Sequence, residues 1–305
     1  MIWGLGHGAF TVTDLEGSVE FAKTMLGLRE IERRDGTVFL TDGKAEPSLE
    51  LRAGDVTALD HFALVATAPA TVEQLRARLT EAGVAVVDSP PEPNVEQSIR
   101  FQAPSGHVID VYCASTELPA WDPIGQPPHV PSGVRPVAAQ HITLTAAGRG
   151  AFVDFMVEFL GFMISDHVTG PDGNVSTTFL RSGSRLHHSV GVGEGDSGMH
   201  HYAYQLQSVY DIVRIGDLLH AAGAGFLWGP SRHRLGDNIA AYFEDPSGIR
   251  IEYFSEMQLI IDDRWEPRTL PITDPSTPST WGATVALSSF MTAIPIVPGT
   301  AAITS

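Results

Sequence analysis

The stretch Phe-Glu-Asp-Pro-Ser-Gly-Ile-Arg-Ile-Glu at residues 243–252 echoes Phe-Gln-Ala-Pro-Ser-Gly-His-Val-Ile-Asp at residues 101–110. A second pair occurs in the same order: Val-Asp-Phe-Met-Val-Glu-Phe-Leu-Gly-Phe at 153–162 echoes Val-Glu-Phe-Ala-Lys-Thr-Met-Leu-Gly-Leu at 19–28. Members of each pair lie about 140 residues apart, which is too long a period for a solenoid repeat. The sequence therefore predicts a domain that is present twice.

Each copy shows the same order of local patterns. A short β pattern precedes a helix that ends at Leu26-Gly27 or Leu160-Gly161, where glycine suits the position after a helix end. Alternating strands, another β pattern and a second helix (72–82, 209–222) follow, and a hairpin around Pro-Ser-Gly closes each copy. We predict an α+β fold of two tandem domains, each with paired βαβββ repeats in a curved mixed sheet that forms an open barrel.

Composition sets the domain boundaries. A proline-dense segment predicts an extended connector, and the end of the chain is rich in Pro, Thr and Ser, with no charged side chain after residue 274. We expect this tail to be a strap over the protein or a partially ordered end. The predicted parts are an N-terminal domain (1–116), the connector (117–138), a C-terminal domain (139–261) and the tail (262–305).

The charge balance and the cysteine count argue against several kinds of partner and site. The chain has 36 acidic and 19 basic side chains, a net charge of −17, which argues against nucleic acid or an anionic membrane as a partner. Cys113 is the only cysteine, so a disulfide framework and a cysteine-based zinc site are both excluded. No apolar run is long enough for a membrane span and no signal-peptide pattern is present, so we expect a cytoplasmic protein.

Three polar residues fall in predicted strands of the second copy: His141, His201 and Glu252. A polar side chain on the apolar face of a sheet is costly unless it is paired or bound to a metal. Two imidazoles and one carboxylate form the facial triad of non-haem Fe(II) oxygenases, which leaves coordination positions open. Any one of these histidines alone is more often a hydrogen-bonded core side chain, so the prediction depends on the three together.

Further candidates lie between and after the triad. His187 and His188 are placed at a strand end, His233 in a loop, and Tyr242 on a hairpin arm opposite Glu252. A histidine and a tyrosine beside a metal can move a phenolic proton and donate hydrogen bonds to developing negative charge. The alternatives are a solvated loop histidine and a packed strand tyrosine.

These residues together resemble the type I extradiol ring-cleaving dioxygenases, close to the catechol 2,3-dioxygenases, of the vicinal oxygen chelate superfamily. The resemblance covers roughly residues 3–256. Its matching stretches are Val-Arg-Pro…Gln-His-Ile-Thr-Leu (134–144), Leu-His-His-Ser-Val (186–190), Met-His-His-Tyr-Ala (199–203), Gly-Pro-Ser-Arg-His (229–233) and 242–252.

The resemblance implies O₂-dependent ring cleavage of a catechol-type substrate, next to its hydroxyls. It implies that His141, His201 and Glu252 bind Fe(II), less often Mn(II). It also implies that His188, or else His187, assists O₂ activation, and that His233 and Tyr242 hydrogen-bond the substrate. Asp237 and Asn238 are plausible partners of these groups, and homo-oligomers are common in the family.

The first copy departs from this pattern. His7, His61 and Asp110 occupy corresponding positions and form a potential second set, but counterparts of His188, His233 and Tyr242 are missing. The resemblance implies a non-catalytic N-terminal domain, so a relic of duplication and a working metal site both stay open. Ala241 stands where the family tends to have a larger apolar residue.

Two other functions remain open from the sequence. A glyoxalase- or epimerase-like metal enzyme would use the same scaffold with a fourth protein ligand and no O₂. A non-enzymatic small-molecule-binding module would have no metal triad. The ring substituent of a catechol cannot be read from the apolar pocket candidates Phe179, Trp228, Leu235 and Phe254.

Overall fold

The computed structural model describes residues 1–114, 133–282 and 290–297. The N-terminal half contains two βαβββ units whose strands form one mixed sheet, in the order β2-β3-β4-β1-β5-β8-β7-β6. The elements of this half are β1 (Ile2–Val12), α1 (Leu15–Thr24), β2 (Arg29–Arg34), β3 (Thr37–Thr41), β4 (Leu49–Ala53), β5 (Ala58–Ala66), α2 (Pro69–Glu81), β6 (Val86–Asp88), β7 (Val95–Gln102) and β8 (Val108–Ala114).

The C-terminal half repeats this arrangement in a second sheet, with the core order β10-β11-β12-β9-β13-β16-β15-β14. Its elements are β9 (Ala138–Ala146), α3 (Arg149–Glu158), β10 (Met163–Thr169), β11 (Val175–Arg181), β12 (Val190–Glu194), β13 (Gly198–Gln205), α4 (Tyr210–Ala221), β14 (Trp228–Arg232), β15 (Ile239–Glu244) and β16 (Arg250–Ser255).

The predicted α+β fold with paired βαβββ repeats in two domains is confirmed. The first helix of each half stops shortly before Gly27 or Gly161, whose φ angles of 66° and 70° are readily adopted only by residues without a Cβ. The hairpin glycines Gly106 and Gly248 have φ angles of 87° and 90°. The repeated Leu-Gly and Pro-Ser-Gly motifs therefore mark the same chain reversals in both halves.

The connector and tail lie only partly within the described residues. Residues 117–132 of the predicted connector fall outside them, and β9 already begins at Ala138; the domain boundaries stay predictions. The described part of the tail adds β17 (Arg268–Pro271) beside β10, β18 (Trp281–Gly282) beside β14 and β19 (Ile294–Pro295) beside β13. Residues 262–282 thus lie along the C-terminal sheet as a strap, and residues 290–297 contact both sheets, because Ile296 also forms a bridge to Leu59 on β5.

The two halves share one continuous cluster of buried apolar side chains. The fully buried Tyr253 on β16 links the C-terminal half to the connector and to the N-terminal half, because its hydroxyl donates to the carbonyl of Val134 (2.8 Å) and lies 3.2 Å from that of Leu26. Tyr202 similarly donates to the carbonyl of Ser48 at 2.6 Å. Among the described residues, no helix has both the length and the apolar character needed to cross a membrane.

Tyr253→Phe leaves the carbonyls of Val134 in the connector and Leu26 in the N-terminal half without this donor. We expect this change to lower the free energy of unfolding by about 1–3 kcal/mol, measured by urea denaturation. Tyr210→Phe is the matched control, because Tyr210 is 78% exposed. Equal stability of both variants would show that the Tyr253 hydrogen bonds do not couple the halves.

Candidate metal centre

Register in the C-terminal sheet brings the predicted triad together. Ala203 on β13 pairs with His141 on β9 on one side and with Glu252 on β16 on the other. Directly paired residues share a sheet face, and so do residues two positions apart along a strand. His201, two residues before Ala203, therefore joins His141 and Glu252 on that face.

The three donor atoms lie at distances that suit one shared ion. His141 Nε2 is 3.3 Å from His201 Nε2 and 3.0 Å from Glu252 Oε2, and His201 Nε2 is 2.9 Å from the same oxygen. Bonds of about 2.1 Å at right angles separate donor atoms by about 3.0 Å. All three side chains are buried. This arrangement occupies one face of an octahedron and leaves the opposite face for other ligands.

Neighbouring side chains fix the imidazole tautomers. His141 Nδ1 donates to Gln140 Oε1 at 3.0 Å. His200 Nε2 donates to the carbonyl of Phe290 at 2.7 Å, so its Nδ1 accepts from His201 Nδ1 at 2.6 Å. Both Nε2 lone pairs consequently face Glu252, and such hydrogen bonds are typical of metal-ligating histidines.

Electrostatics favour a cation at the point where these atoms meet. Burial lowers the pKa of His201 to about 4 although Glu252 opposes this shift. Burial raises the pKa of Glu252, but His141 and His201 outweigh this effect and hold the pKa well below its ordinary value. Because Nδ1 of each ring donates away from the centre, two acceptor nitrogens and one carboxylate oxygen converge on one point. A divalent metal ion fits this donor set.

Asn238 and Asp237 have different surroundings although they are neighbours in sequence. The fully buried Asn238 donates from Nδ2 to Glu252 Oε1 at 3.0 Å, which orients the carboxylate. The Asp237 side chain is 65% exposed and pairs with Arg232 on the surface. The structure therefore brings Asn238 to the predicted centre and leaves Asp237 outside it, because the chain turns at Asp237 with φ of 54°.

His233 and Tyr242 form a hydrogen-bonded pair beside the triad. His233 Nδ1 donates to the carbonyl of Pro278 at 2.8 Å, so its Nε2 accepts from the Tyr242 hydroxyl at 2.8 Å. Tyr242 is paired with Glu252 across the β15–β16 ladder, and its ring packs against His201 with a centroid distance of 5.2 Å. Burial raises the pKa of Tyr242 well above its ordinary value, and Glu252 adds to this shift.

The structure places His188 and His187 differently. Both lie in the connection between β11 and β12, not at the end of a strand as the sequence pattern predicted. The His188 ring packs on His141 with a centroid distance of 4.4 Å. His187 instead donates from Nε2 to Asp166 at 2.7 Å, and its Nδ1 lies 3.0 Å from His188 Nδ1. His188 is thus beside the triad and His187 behind it.

Asp166 anchors this histidine pair from the far side. Arg268 of the tail donates to both Asp166 oxygens, at 3.0 and 2.6 Å. Since His187 Nε2 donates to Asp166, His187 Nδ1 accepts from His188 Nδ1, and His188 Nε2 keeps its lone pair. Burial lowers the pKa of His188 well below its ordinary value, and His141 and His187 add to this effect.

Aromatic rings enclose the centre. Phe254 packs against His141 (5.0 Å) and Phe179 against His188 (5.0 Å). Trp228 stacks on His233 at 5.1 Å, and Phe290 of the tail packs on Tyr242 at 4.9 Å. The centre is therefore polar only where its ligands and their hydrogen-bond partners lie.

Several residues that position the side chains of the site were not predicted from the sequence. Gln140, Asp166 and His200 position histidines through hydrogen bonds, and Arg268 and Phe290 belong to a tail in which we recognised no chemistry. Gln140 and His200 each stand next to a predicted ligand, which was the one available signal. Nothing local to Asp166 or to the tail predicts their long-range contacts.

Comparison with known proteins agrees with this geometry. The family model described as the Glyoxalase/Bleomycin resistance protein/Dioxygenase superfamily matches residues 4–111 and 138–253. A relative from Geobacillus genomosp. 3, named manganese-dependent 2,3-dihydroxybiphenyl 1,2-dioxygenase, is 31% identical over 281 residues, covering 86% of this chain and 88% of the relative.

Two further proteins also match over most of both chains. A metapyrocatechase of Pseudomonas sp. (strain CF600) is 27% identical, with 82% of this chain and 84% of the relative covered. The crystal structure of the 2,3-dioxygenase LapB from Pseudomonas sp. KL28 superposes with a TM-score of 0.81 at 26% identity, covering 90% of this chain and 98% of that one. The chain belongs to the Glyoxalase/Bleomycin resistance protein/Dioxygenase superfamily, among its extradiol catecholic dioxygenases.

Proposed function

We propose that this enzyme cleaves the ring of a catechol-type substrate with O₂ at one divalent metal ion held by His141, His201 and Glu252. The observation that carries the proposal is the convergence of three acceptor atoms, 2.9–3.3 Å apart, in a buried site with further acid–base groups beside them. When bound, the ion supplies Lewis acidity, two-point chelation of the diol and a path for electrons between substrate and O₂.

His233 and Tyr242 act on the substrate hydroxyls in this proposal. The Tyr242 hydroxyl donates to His233 Nε2 at 2.8 Å, so a substrate oxygen beside Tyr242 meets a pair that can accept a proton at His233 and donate one from Tyr242. Such a pair stabilises negative charge as a phenol is deprotonated. Pro278 fixes the His233 ring through its carbonyl.

His188 provides the second acid–base group. Its Nε2 is unprotonated in the hydrogen-bond arrangement set by Asp166 and His187, so it can take up a proton near the ion. Asp166 stabilises the positive charge that then spreads onto the histidine pair. We therefore assign His188 as the group that handles the proton and His187 as its positioning residue.

The surrounding rings exclude water and accept an aromatic substrate. Trp228, Phe179, Phe254 and Phe290 lie within ring-contact distance of the site histidines or of Tyr242. Apolar walls with a few oriented polar groups are typical of small-molecule sites, and removal of water strengthens the electrostatic interactions inside.

We propose Fe(II) as the resident ion, with Mn(II) as the second candidate. Two nitrogens and one carboxylate oxygen accept both ions. We give Mn(II) more weight than the sequence alone suggested, because a relative at 31% identity is named manganese-dependent. Self-association and a cytoplasmic location remain predictions from the sequence.

Glu252→Gln tests the function directly. Losing the carboxylate charge removes one ligand, and we expect catechol-dependent O₂ uptake and the yellow ring-fission product to fall by more than about 100-fold, together with the content of Fe or Mn. Glu256→Gln is the control, because Glu256 directly follows β16 and is exposed. The assay uses protein stripped by a chelator and reloaded with Fe(II) or Mn(II).

The proposed function is wrong if Glu252→Gln keeps its O₂ uptake, or if the reloaded wild-type protein consumes no O₂ across a panel of catechols. Activity with Mn(II) alone would overturn the Fe(II) assignment and leave the reaction in place.

Asp166→Asn tests the role assigned to the histidine pair. An asparagine side chain can accept or donate a hydrogen bond, so it no longer enforces one tautomer of His187. His187 Nδ1 is then no longer fixed as the acceptor for His188 Nδ1. We expect kcat to fall by about 10–100-fold with an altered pH profile and unchanged metal content. Asp172→Asn, in an exposed turn, should match the wild type. A loss of metal in proportion to activity would instead indicate a merely structural role for Asp166.

A further inference from the structure

A second cluster of ligand-type side chains lies in the N-terminal half. His7 on β1, Glu50 on β4 and His61 on β5 meet Glu92 from the loop between β6 and β7. One donor atom from each residue lies within 4.8 Å of the others, and the four residues are at most 9% exposed. This cluster is separate from the triad of the C-terminal sheet.

The register around this cluster matches the register around the triad. Ala9 on β1 pairs with Glu50 in parallel and with His61 in antiparallel fashion. Ala203 pairs in the same two ways with Glu252 and His141. His7 precedes Ala9 by two residues, just as His201 precedes Ala203.

The three residue types therefore recur at equivalent positions: His7 corresponds to His201, His61 to His141 and Glu50 to Glu252. Even the hydrogen bond behind the ligand recurs, because His61 Nδ1 lies 2.8 Å from Asp60, as His141 Nδ1 lies 3.0 Å from Gln140. In both cases the preceding residue holds the ring, so that Nε2 faces the cluster.

This arrangement differs from the set that the sequence suggested. Asp110 is not among the converging residues, because Arg100 donates to both of its oxygens at 2.7 and 2.8 Å. The carboxylates come instead from Glu50 and Glu92. Asp110 does hold the register position of Glu252, because Ala63 on β5 pairs with His7 and with Asp110. Arg100 already occupies the Asp110 carboxylate, whereas Glu50 holds the matching position next to Ala9.

The distances inside the cluster suit a shared ion better than direct hydrogen bonds. His7 Nε2 lies 3.4 Å from His61 Nε2, 3.3 Å from Glu50 Oε1 and 3.6 Å from Glu92 Oε2. A charge-assisted hydrogen bond would be about 2.7–2.9 Å, whereas bonds of about 2.1 Å at tetrahedral angles place donor atoms about 3.4 Å apart. Glu50 Oε1 and Glu92 Oε2 are buried without any hydrogen-bond partner.

The local charges leave room for a divalent cation. Arg100 neutralises Asp110, and Arg52 pairs with Asp60 at 2.8 Å. Within the described residues, the ion pairs of Glu50 and Glu92 involve His7 alone. Two buried carboxylates therefore lack a permanent cation, a state that costs free energy unless a metal ion or protons compensate.

We propose that His7, Glu50, His61 and Glu92 bind a second divalent first-row transition-metal ion, independent of the ion in the C-terminal half. Four protein ligands leave no open position in a tetrahedral site, which is typical of structural and not catalytic ions. A small cleft is lined by Glu50, Asp60 and His61 and so borders one side of the cluster. Arg100 also lies 3.2 Å from His61 Nε2, so it must give up that contact when the ion binds.

Metal counting on the full chain tests the site. Wild type, Glu50→Gln, Glu252→Gln and the exposed control Glu81→Gln are stripped with a chelator, loaded with Zn(II) or Mn(II), desalted and analysed by mass spectrometry of the metal. We expect two equivalents in the wild type and in Glu81→Gln, and one equivalent in each of the other two variants. One equivalent in the wild type, or none in Glu252→Gln, would overturn the proposal.

Thermal unfolding separates the two states of the cluster. If the cluster binds the ion, Glu50→Gln lowers the Tm of the metal-loaded protein. A chelator then no longer lowers the Tm by removing an ion from this cluster. If the carboxyls are instead protonated, burial having raised the pKa of Glu50 to about 7 and that of Glu92 to about 9, Glu50→Gln leaves the Tm unchanged or raises it. That second outcome contradicts the proposal.

Discussion

Three acceptor atoms that face one another without a proton between them are the constraint on which the rest of this structure depends. His141, His201 and Glu252 present two lone pairs and a carboxylate oxygen within 3.3 Å, an arrangement whose burial costs free energy unless a cation compensates it. The surrounding hydrogen bonds all support it. Gln140, His200 and Asn238 each orient one side chain of the triad, so hydrogen bonds within the protein fix the geometry of the three donor atoms.

Much of the fold could be predicted from the sequence because the two copies repeat the residues that define chain reversals. Leu-Gly after the helices and Pro-Ser-Gly in the hairpins impose backbone conformations that depend on local residues only. The three candidate ligands could also be predicted, because polar residues in otherwise apolar strands are unusual. The cross-strand pairing of Tyr242 with Glu252 followed from the hairpin between them.

The remaining features depend on contacts between distant parts of the chain. The tail brings Arg268 to Asp166 across 102 residues and the Phe290 carbonyl to His200 across 90, and no local pattern encodes such pairing. Asp237 was grouped with Asn238 by proximity in sequence, but a turn sends one side chain to solvent and the other to Glu252. Asp110 was chosen by offset, although Arg100 already neutralises it.

The duplicated fold places two sets of ligand-type residues on equivalent positions of two sheets, yet their surroundings differ. His188, His233, Tyr242 and several aromatic rings lie around the C-terminal set, whereas the N-terminal set has a second carboxylate as its fourth residue. The most direct test of the central claim is anomalous diffraction from crystals of the protein as purified, recorded at the iron and manganese absorption edges. The account predicts a peak at one of these edges about 2.1 Å from His141 Nε2, His201 Nε2 and Glu252 Oε2. Well-ordered density for all three side chains with no anomalous peak between them would contradict the account.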